Sequence, residues 1–154
     1  MKILLISGAP NTGKTKITTM IESYLRTIGF RNSCRKYVIP ENDSAVVLEG
    51  INKKGKNIRI LLNTASDTQN IINQVHEYYQ QNSPIDCLIT TVRDMYEERE
   101  YLFETFSVND NEYYEIPLAK VSRRNDNEEA KENYYTRVLT LIKHILSMKP
   151  FYIS

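Results

Sequence analysis

The sequence predicts an α/β fold, a layered sheet of mostly parallel strands with an antiparallel hairpin over residues 45–62 at one edge. Three observations carry this expectation. Short apolar runs such as Ile3-Leu4-Leu5-Ile6 alternate with longer segments whose apolar residues recur at helical spacing. The first run leads directly into Gly8-Ala9-Pro10-Asn11-Thr12-Gly13-Lys14-Thr15, a glycine-flanked loop that opens a helix. No repeat or linker divides the 154 residues, so one domain over residues 1–154 is expected.

The elements follow in order. Residues 3–6 form the first strand. Ile17, Met20, Ile21, Tyr24, Leu25 and Ile28 mark one face of the first helix, and Gly29 suits its end. Residues 35–39 read as a short strand closed by Pro40. Residues 45–48 and 58–62 flank a hairpin turn in which Gly55 suits the positive-φ position. Lys53, Lys54 and Lys56 in that turn read as a solvated cluster. A second helix follows Asp67-Thr68, with Ile71, Ile72, Val75, Tyr78 and Tyr79 along one stripe and His76 off it. Residues 86–92 form a buried strand, and Met95, Leu102, Phe103 and Phe106 mark a third helix. Residues 113–118 are the last strand. Ala130, Tyr134, Val138, Leu141, Ile142, Ile145 and Leu146 mark a long final helix stopped by Pro150. His144 falls beside that stripe with no ligand partner in the sequence.

Composition narrows the function classes. Hydrophobic residues at 41% and charged residues at 25% are ordinary for a globular chain. A net charge of +1 offers no electrostatic footprint for nucleic acid or an anionic membrane, so neither partner is expected. Cys34 and Cys87 make no disulfide framework, and Cys87 sits in an apolar strand. The apolar run after Lys2 is too short for a secretory signal, and no stretch approaches a membrane span. A cytoplasmic setting is expected.

Gly8 to Thr15 matches G-x-x-x-x-G-K-[ST] at every fixed position. Chance produces such a match in roughly one chain of this size in several hundred. The strand and helix flanks reduce that further, so a phosphate-binding loop is the better account. The chemistry requires these residue types. Glycines let the backbone turn and approach a polyphosphate closely. The N–H groups of the loop and of the following helix start then converge on the anion. Gly8, Ala9, Pro10, Asn11, Thr12 and Gly13 are the expected loop contacts, and Thr18 is counted with them one turn into the helix. Lys14 would reach the β- and γ-phosphates, and the Thr15 hydroxyl would bind Mg²⁺, a hard cation that takes oxygen ligands.

Ligands of such sheets bind outside the carboxyl ends of the strands. Those ends deliver Glu41 and Asp43, then Asn63, Thr64, Ser66 and Asp67, then Arg93, Asp94 and Arg99, then Ser122, Arg123 and Arg124. Asp67 is the first candidate for a metal carboxylate and Asp94 the second; either could instead cap the helix it precedes. Arg93 could stabilise charge on a transferring phosphoryl group, or pair with Glu97 or Glu98. Arg123 and Arg124 could cover the nucleotide, or pair with Glu128 and Glu129.

At Gly8 to Thr15 the chain resembles the P-loop NTPase superfamily. The order of a P-loop followed by arginine-rich strand ends is similar to small nucleoside-monophosphate and phosphomevalonate-type kinases. Ile89-Thr90-Thr91-Val92-Arg93, followed by Glu97 and Glu98, resembles viral deoxynucleoside monophosphate kinases. The resemblance implies a three-layer P-loop NTPase-type sheet and the cofactors ATP and Mg²⁺. The chain departs from the pattern at residues 58–62, which end in Asn63-Thr64 where the superfamily carries a metal carboxylate. The guanine-selecting N-K-x-D is absent, and no long arginine-rich lid is visible. The leading expectation is an ATP-dependent phosphotransferase acting on a small molecule. In that reading Lys14, Arg93 and Asp67 are catalytic, Thr15 with Asp67 or Asp94 holds the metal, and Glu41 or Asp43 contacts the acceptor. An NTP-hydrolysing switch and a nucleotide-binding module without turnover are the alternatives.

Overall fold

The structure is a computed structural model and describes residues 1–39, 43–109, 113–121 and 127–154, apart from the side chain of Tyr96. Its elements are β1 (Lys2–Gly8), α1 (Lys14–Thr27), β2 (Arg31–Asn32), β3 (Tyr37–Ile39), β4 (Asp43–Ile51), β5 (Asn57–Asn63), α2 (Gln69–Asn82), β6 (Cys87–Arg93), α3 (Tyr96–Thr105), β7 (Tyr113–Pro117) and α4 (Glu128–Ser147).

The strands form one mixed sheet in the order β2-β4-β5-β6-β1-β7, with β3 also pairing with β4. β7, β1, β6 and β5 are parallel neighbours. β4 is antiparallel to β5, and β2 and β3 are antiparallel to β4. Among the described residues β4 alone runs against the rest, so the sheet is mostly parallel in direction.

β1 lies between β6 and β7 and is buried on both faces, which is why Ile3 to Ile6 reads as an unbroken apolar run. Its side chains alternate between two cores. Leu4 and Ile6 pack with Ile17, Ile21 and Leu25 of α1 and with Tyr135, Ile142 and Leu146 of α4. Ile3 and Leu5 pack with Ile72, Val75 and Tyr78 of α2 and with Leu102 of α3. The result is a helix–sheet–helix arrangement with two helices on each face. Each fully buried Leu or Ile contributes about 1.5–3 kcal/mol of apolar transfer energy, so the two stripes of β1 fix which helices lie on which side.

The antiparallel region extends beyond the expected hairpin. β2 and β3 line the outer side of β4, so the hairpin lies one strand in from the edge. Arg31 and Asn32 are both exposed and carry no apolar pattern that could announce a strand. The turn between β4 and β5 follows the expectation: Gly55 has φ +74, and Asn52 Oδ1 accepts from Lys54 N at 2.9 Å and Lys56 N at 3.0 Å. The Lys54 ammonium lies 3.6 Å from the ring centre of Tyr152. Cys87 is buried, which pushes its thiol up to about 12 and makes it a packing residue. Among the described residues no helix is long and apolar enough to cross a membrane.

Candidate functional site

Register brings the site together. Gly8 at the end of β1 lies opposite Arg93 at the end of β6, and Asn63 at the end of β5 lies opposite Thr90. β4 runs the other way, so its beginning reaches the rim where its neighbours end: Ala45 lies opposite Asn63. Asp43, two residues earlier, therefore arrives beside the loop of residues 8–13. A cavity of about 580 Å³ opens there. The loop contributes Pro10, Asn11 and Gly13, and α1 contributes Lys14 and Thr15. Asp43, Thr64, Asp67 and Arg93 come from the sheet side, with Lys131 and Tyr135 from α4.

Gly13 precedes α1 in the left-handed conformation, φ 88 and ψ 23, and no side chain caps the helix. The first turn also lacks acidic residues, so its N–H groups and positive dipole end are not neutralised from within the helix. Close packing reinforces the need for glycine. A Cβ on Gly13 would lie 2.2 Å from the Tyr135 oxygen. Tyr135 is 5% exposed, and its hydroxyl donates to Thr12 O at 3.3 Å. Lys16 Nζ sits 4.9 Å from the same ring centre and pairs with Glu132. α4 thus braces the loop from outside. Of the expected stripe, Tyr134, Val138, Ile142, Ile145 and Leu146 pack on the core, Ala130 and Leu141 are exposed, and the buried Tyr135 is not on it.

Lys14 folds back over its own loop. Its Nζ donates to Gly8 O at 2.8 Å and Ala9 O at 3.0 Å. Burial lowers its pKa, and the nearby Asp67 carboxylate opposes that shift. Thr12 Oγ1 donates to Ala9 O at 2.9 Å, closing the loop on itself. Thr15 is exposed, and its Oγ1 donates to Asp43 Oδ1 at 3.4 Å. Thr64 Oγ1 donates to the same oxygen at 2.8 Å and accepts from Ser44 N at 2.9 Å.

Arg93 pairs with Asp67, not with Glu97 or Glu98 of the sequence alternative. Its Nη2 donates to Asp67 Oδ2 at 2.9 Å, and its Nε stands 2.8 Å from Oδ1. That two-point contact raises the guanidinium pKa further. Asp67 does not cap α2. Thr68 does, its hydroxyl accepting from Ile71 N at 3.3 Å. Asp94 is exposed and outside the cavity lining, and Met95 holds the N-cap position of α3. Thr18 is fully buried, with its hydroxyl donating to Lys14 O at 2.9 Å within α1. Arg99 lies away from the cavity, in a two-point pair with Glu115 of β7. Glu41, Ser122, Arg123 and Arg124 lie outside the described residues.

The polar groups of the cavity suit a hard cation and a phosphate chain: hydroxyl and carboxylate oxygens, the lysines Lys14, Lys16 and Lys131, one arginine and an open helix start. Among the described residues no group of three or more His, Cys, Asp or Glu side chains could hold a metal ion by itself. A cation here would therefore complete its shell with water or with oxygens of a bound anion. A second cavity, about 770 Å³, lies at the opposite end of the sheet between Met1, Asp86 and Pro150. It holds Lys2, Lys149 and Asp86 but no arginine, threonine hydroxyl or helix start.

No family model matches the chain, and no curated protein matches it. A solved structure described as "Crystal structure of APE1195" is similar at 12% identity, with a TM-score of 0.42, over 97% of this chain and 78% of that one. A likeness at this level assigns neither fold family nor function.

Proposed function

We propose that the chain is a P-loop protein that binds ATP with Mg²⁺ in the 580 Å³ cavity and transfers a phosphoryl group to a small, nucleotide-like molecule. One observation carries the reading: a complete G-x-x-x-x-G-K-T loop whose glycine turn leads into an uncapped helix start, with Lys14 and Thr15 on the cavity wall. The superfamily resemblance and the three-layer P-loop NTPase-type fold enter as part of the same proposal.

Each residue has a distinct task. The N–H groups at the start of α1 bind phosphate oxygens. Lys14 releases Gly8 O and Ala9 O and turns its ammonium to the β- and γ-phosphates. Lys14 is buried, so it meets the phosphates with little water left to displace. Arg93, oriented by Asp67, neutralises charge that develops on the transferring group. The Thr15 hydroxyl would hold a divalent cation accompanying the nucleotide, which would supply further charge neutralisation. Catalysis of this kind is mainly positioning and electrostatics, so no protein nucleophile is required. The absence of a guanine-selecting motif in the sequence favours ATP over GTP.

The test is a calorimetric titration of wild type and Lys14→Ala with ATP and MgCl₂, followed by ADP assays with nucleoside monophosphates and small metabolites. The proposal expects binding by wild type, a loss of at least tenfold in Lys14→Ala, and ADP release that rises with one acceptor. Equal binding by both proteins refutes the nucleotide site. ATP hydrolysis that no acceptor alters refutes the transferase and supports an NTP-hydrolysing switch.

A further inference from the structure

Resting on the nucleotide-binding reading, the geometry points to Asp43 as the carboxylate that serves the nucleotide's metal ion, with Thr64 as the residue that positions it. The strand that ends at Asn63-Thr64 has no carboxylate of its own at that place. Instead, Thr64 uses its hydroxyl to hold a carboxylate from the neighbouring antiparallel strand: Thr64 Oγ1 donates to Asp43 Oδ1 at 2.8 Å. The same hydroxyl accepts from Ser44 N at 2.9 Å, which ties it to the start of β4, and of its two acceptors Asp43 Oδ1 is nearer than Ser44 O at 3.3 Å.

The position relative to Thr15 is the second observation. Asp43 Oδ1 lies 3.4 Å from Thr15 Oγ1. Two ligand oxygens at right angles on an octahedral Mg²⁺, each about 2.1 Å from the ion, stand about 3 Å apart. The pair is thus spaced to serve one cation, directly or through one of its waters, after a small adjustment. Both residues line the cavity and both belong to regular elements: Thr15 in the first turn of α1, Asp43 at the start of β4. The competing carboxylates are placed less well. Asp67 accepts from Arg93 Nη2 at 2.9 Å and faces its Nε at 2.8 Å, so it is already engaged by a guanidinium. Asp94 is exposed and does not line the cavity.

Titration of the full chain with ATP in MgCl₂ and again in EDTA tests this, with folding of every variant checked by circular dichroism. In wild type, Mg²⁺ tightens ATP binding. Asp43→Asn is expected to lose about 10- to 100-fold of that tightening while its affinity in EDTA stays within a few fold. Thr64→Val loses part of it in the same direction and serves in its place if Asp43→Asn does not fold. Asp67→Asn keeps it. Full Mg²⁺ dependence in both Asp43→Asn and Thr64→Val overturns the inference, as does its loss in Asp67→Asn alone. Equal ATP binding by wild type in MgCl₂ and EDTA overturns the metal role and leaves nucleotide binding standing. No ATP binding in either buffer overturns both.

Discussion

Replacing Gly13 with alanine should destabilise the protein even in the absence of nucleotide. Two costs add. The residue sits at φ +88, where a Cβ costs about 1–2 kcal/mol. The new methyl would also meet Tyr135 at 2.2, 2.5 and 2.6 Å, closer than packed atoms tolerate. Tyr135 cannot simply swing away, because it is 5% exposed, bonded to Thr12 O and covered by Lys16. Overpacking of such a site costs about 1–3 kcal/mol. The total is about 2–5 kcal/mol, or a fall in Tm of about 4–20 °C for a chain of this size. Urea and thermal unfolding followed by circular dichroism measure it. The two costs separate in a double-mutant cycle with Tyr135→Ala. In that background Gly13→Ala should cost only the backbone part, about 1–2 kcal/mol. An equal penalty in both backgrounds, or no penalty in wild type, would refute the packing argument.

Lys14 sets a pH dependence. Its folded pKa lies below the ordinary 10.5, so the unfolded chain holds the proton longer; wild type should gain stability relative to Lys14→Met as pH rises toward 10.5, and a falling difference in urea midpoints contradicts this. Glu115 behaves in the opposite sense. The Arg99 guanidinium holds its carboxyl below 4.5, so its contribution is present above that value and disappears as pH falls through the folded pKa. Glu115→Gln should be about 1–2 kcal/mol less stable than wild type at neutral pH, with the gap closing in acid; a gap constant with pH rejects the pair as its source. Arg93→Gln should lower ADP formation by about a thousandfold. ATP affinity measured by calorimetry should stay within tenfold, and unchanged turnover would remove Arg93 from the reaction.

Local signals carried much of the fold. A strand, a glycine loop and an amphipathic helix in succession announced β1 and α1, and Gly55 announced the turn between β4 and β5. These elements are set by neighbours a few residues apart. The parts that stayed hidden are products of long-range pairing. Asp43 read as a residue of the loop after a strand, because nothing local says that β4 begins there or that it runs antiparallel. Only the pairing of Ala45 with Asn63 brings Asp43 to Thr64 and Thr15. Tyr135 likewise reaches Gly13 across most of the chain; the helical stripe found Tyr134, Val138, Ile142, Ile145 and Leu146 against the core but missed Tyr135 beside them. The contact between Arg93 and Asp67 was equally unreadable, since each had a nearer partner or cap in sequence. The caps themselves were misplaced by one residue, at Thr68 and Met95, because helix boundaries depend on backbone geometry more than on residue type.

The most direct measurement is the change in backbone amide chemical shifts of ¹⁵N-labelled protein on addition of ATP with MgCl₂. If the loop binds the triphosphate, the largest changes fall on the amides of residues 8–15, with smaller ones at Asp43, Thr64 and Arg93. Changes centred on Lys2, Asp86 and Tyr114, around the cavity at the opposite end of the sheet, or no changes at millimolar ATP, would contradict the account.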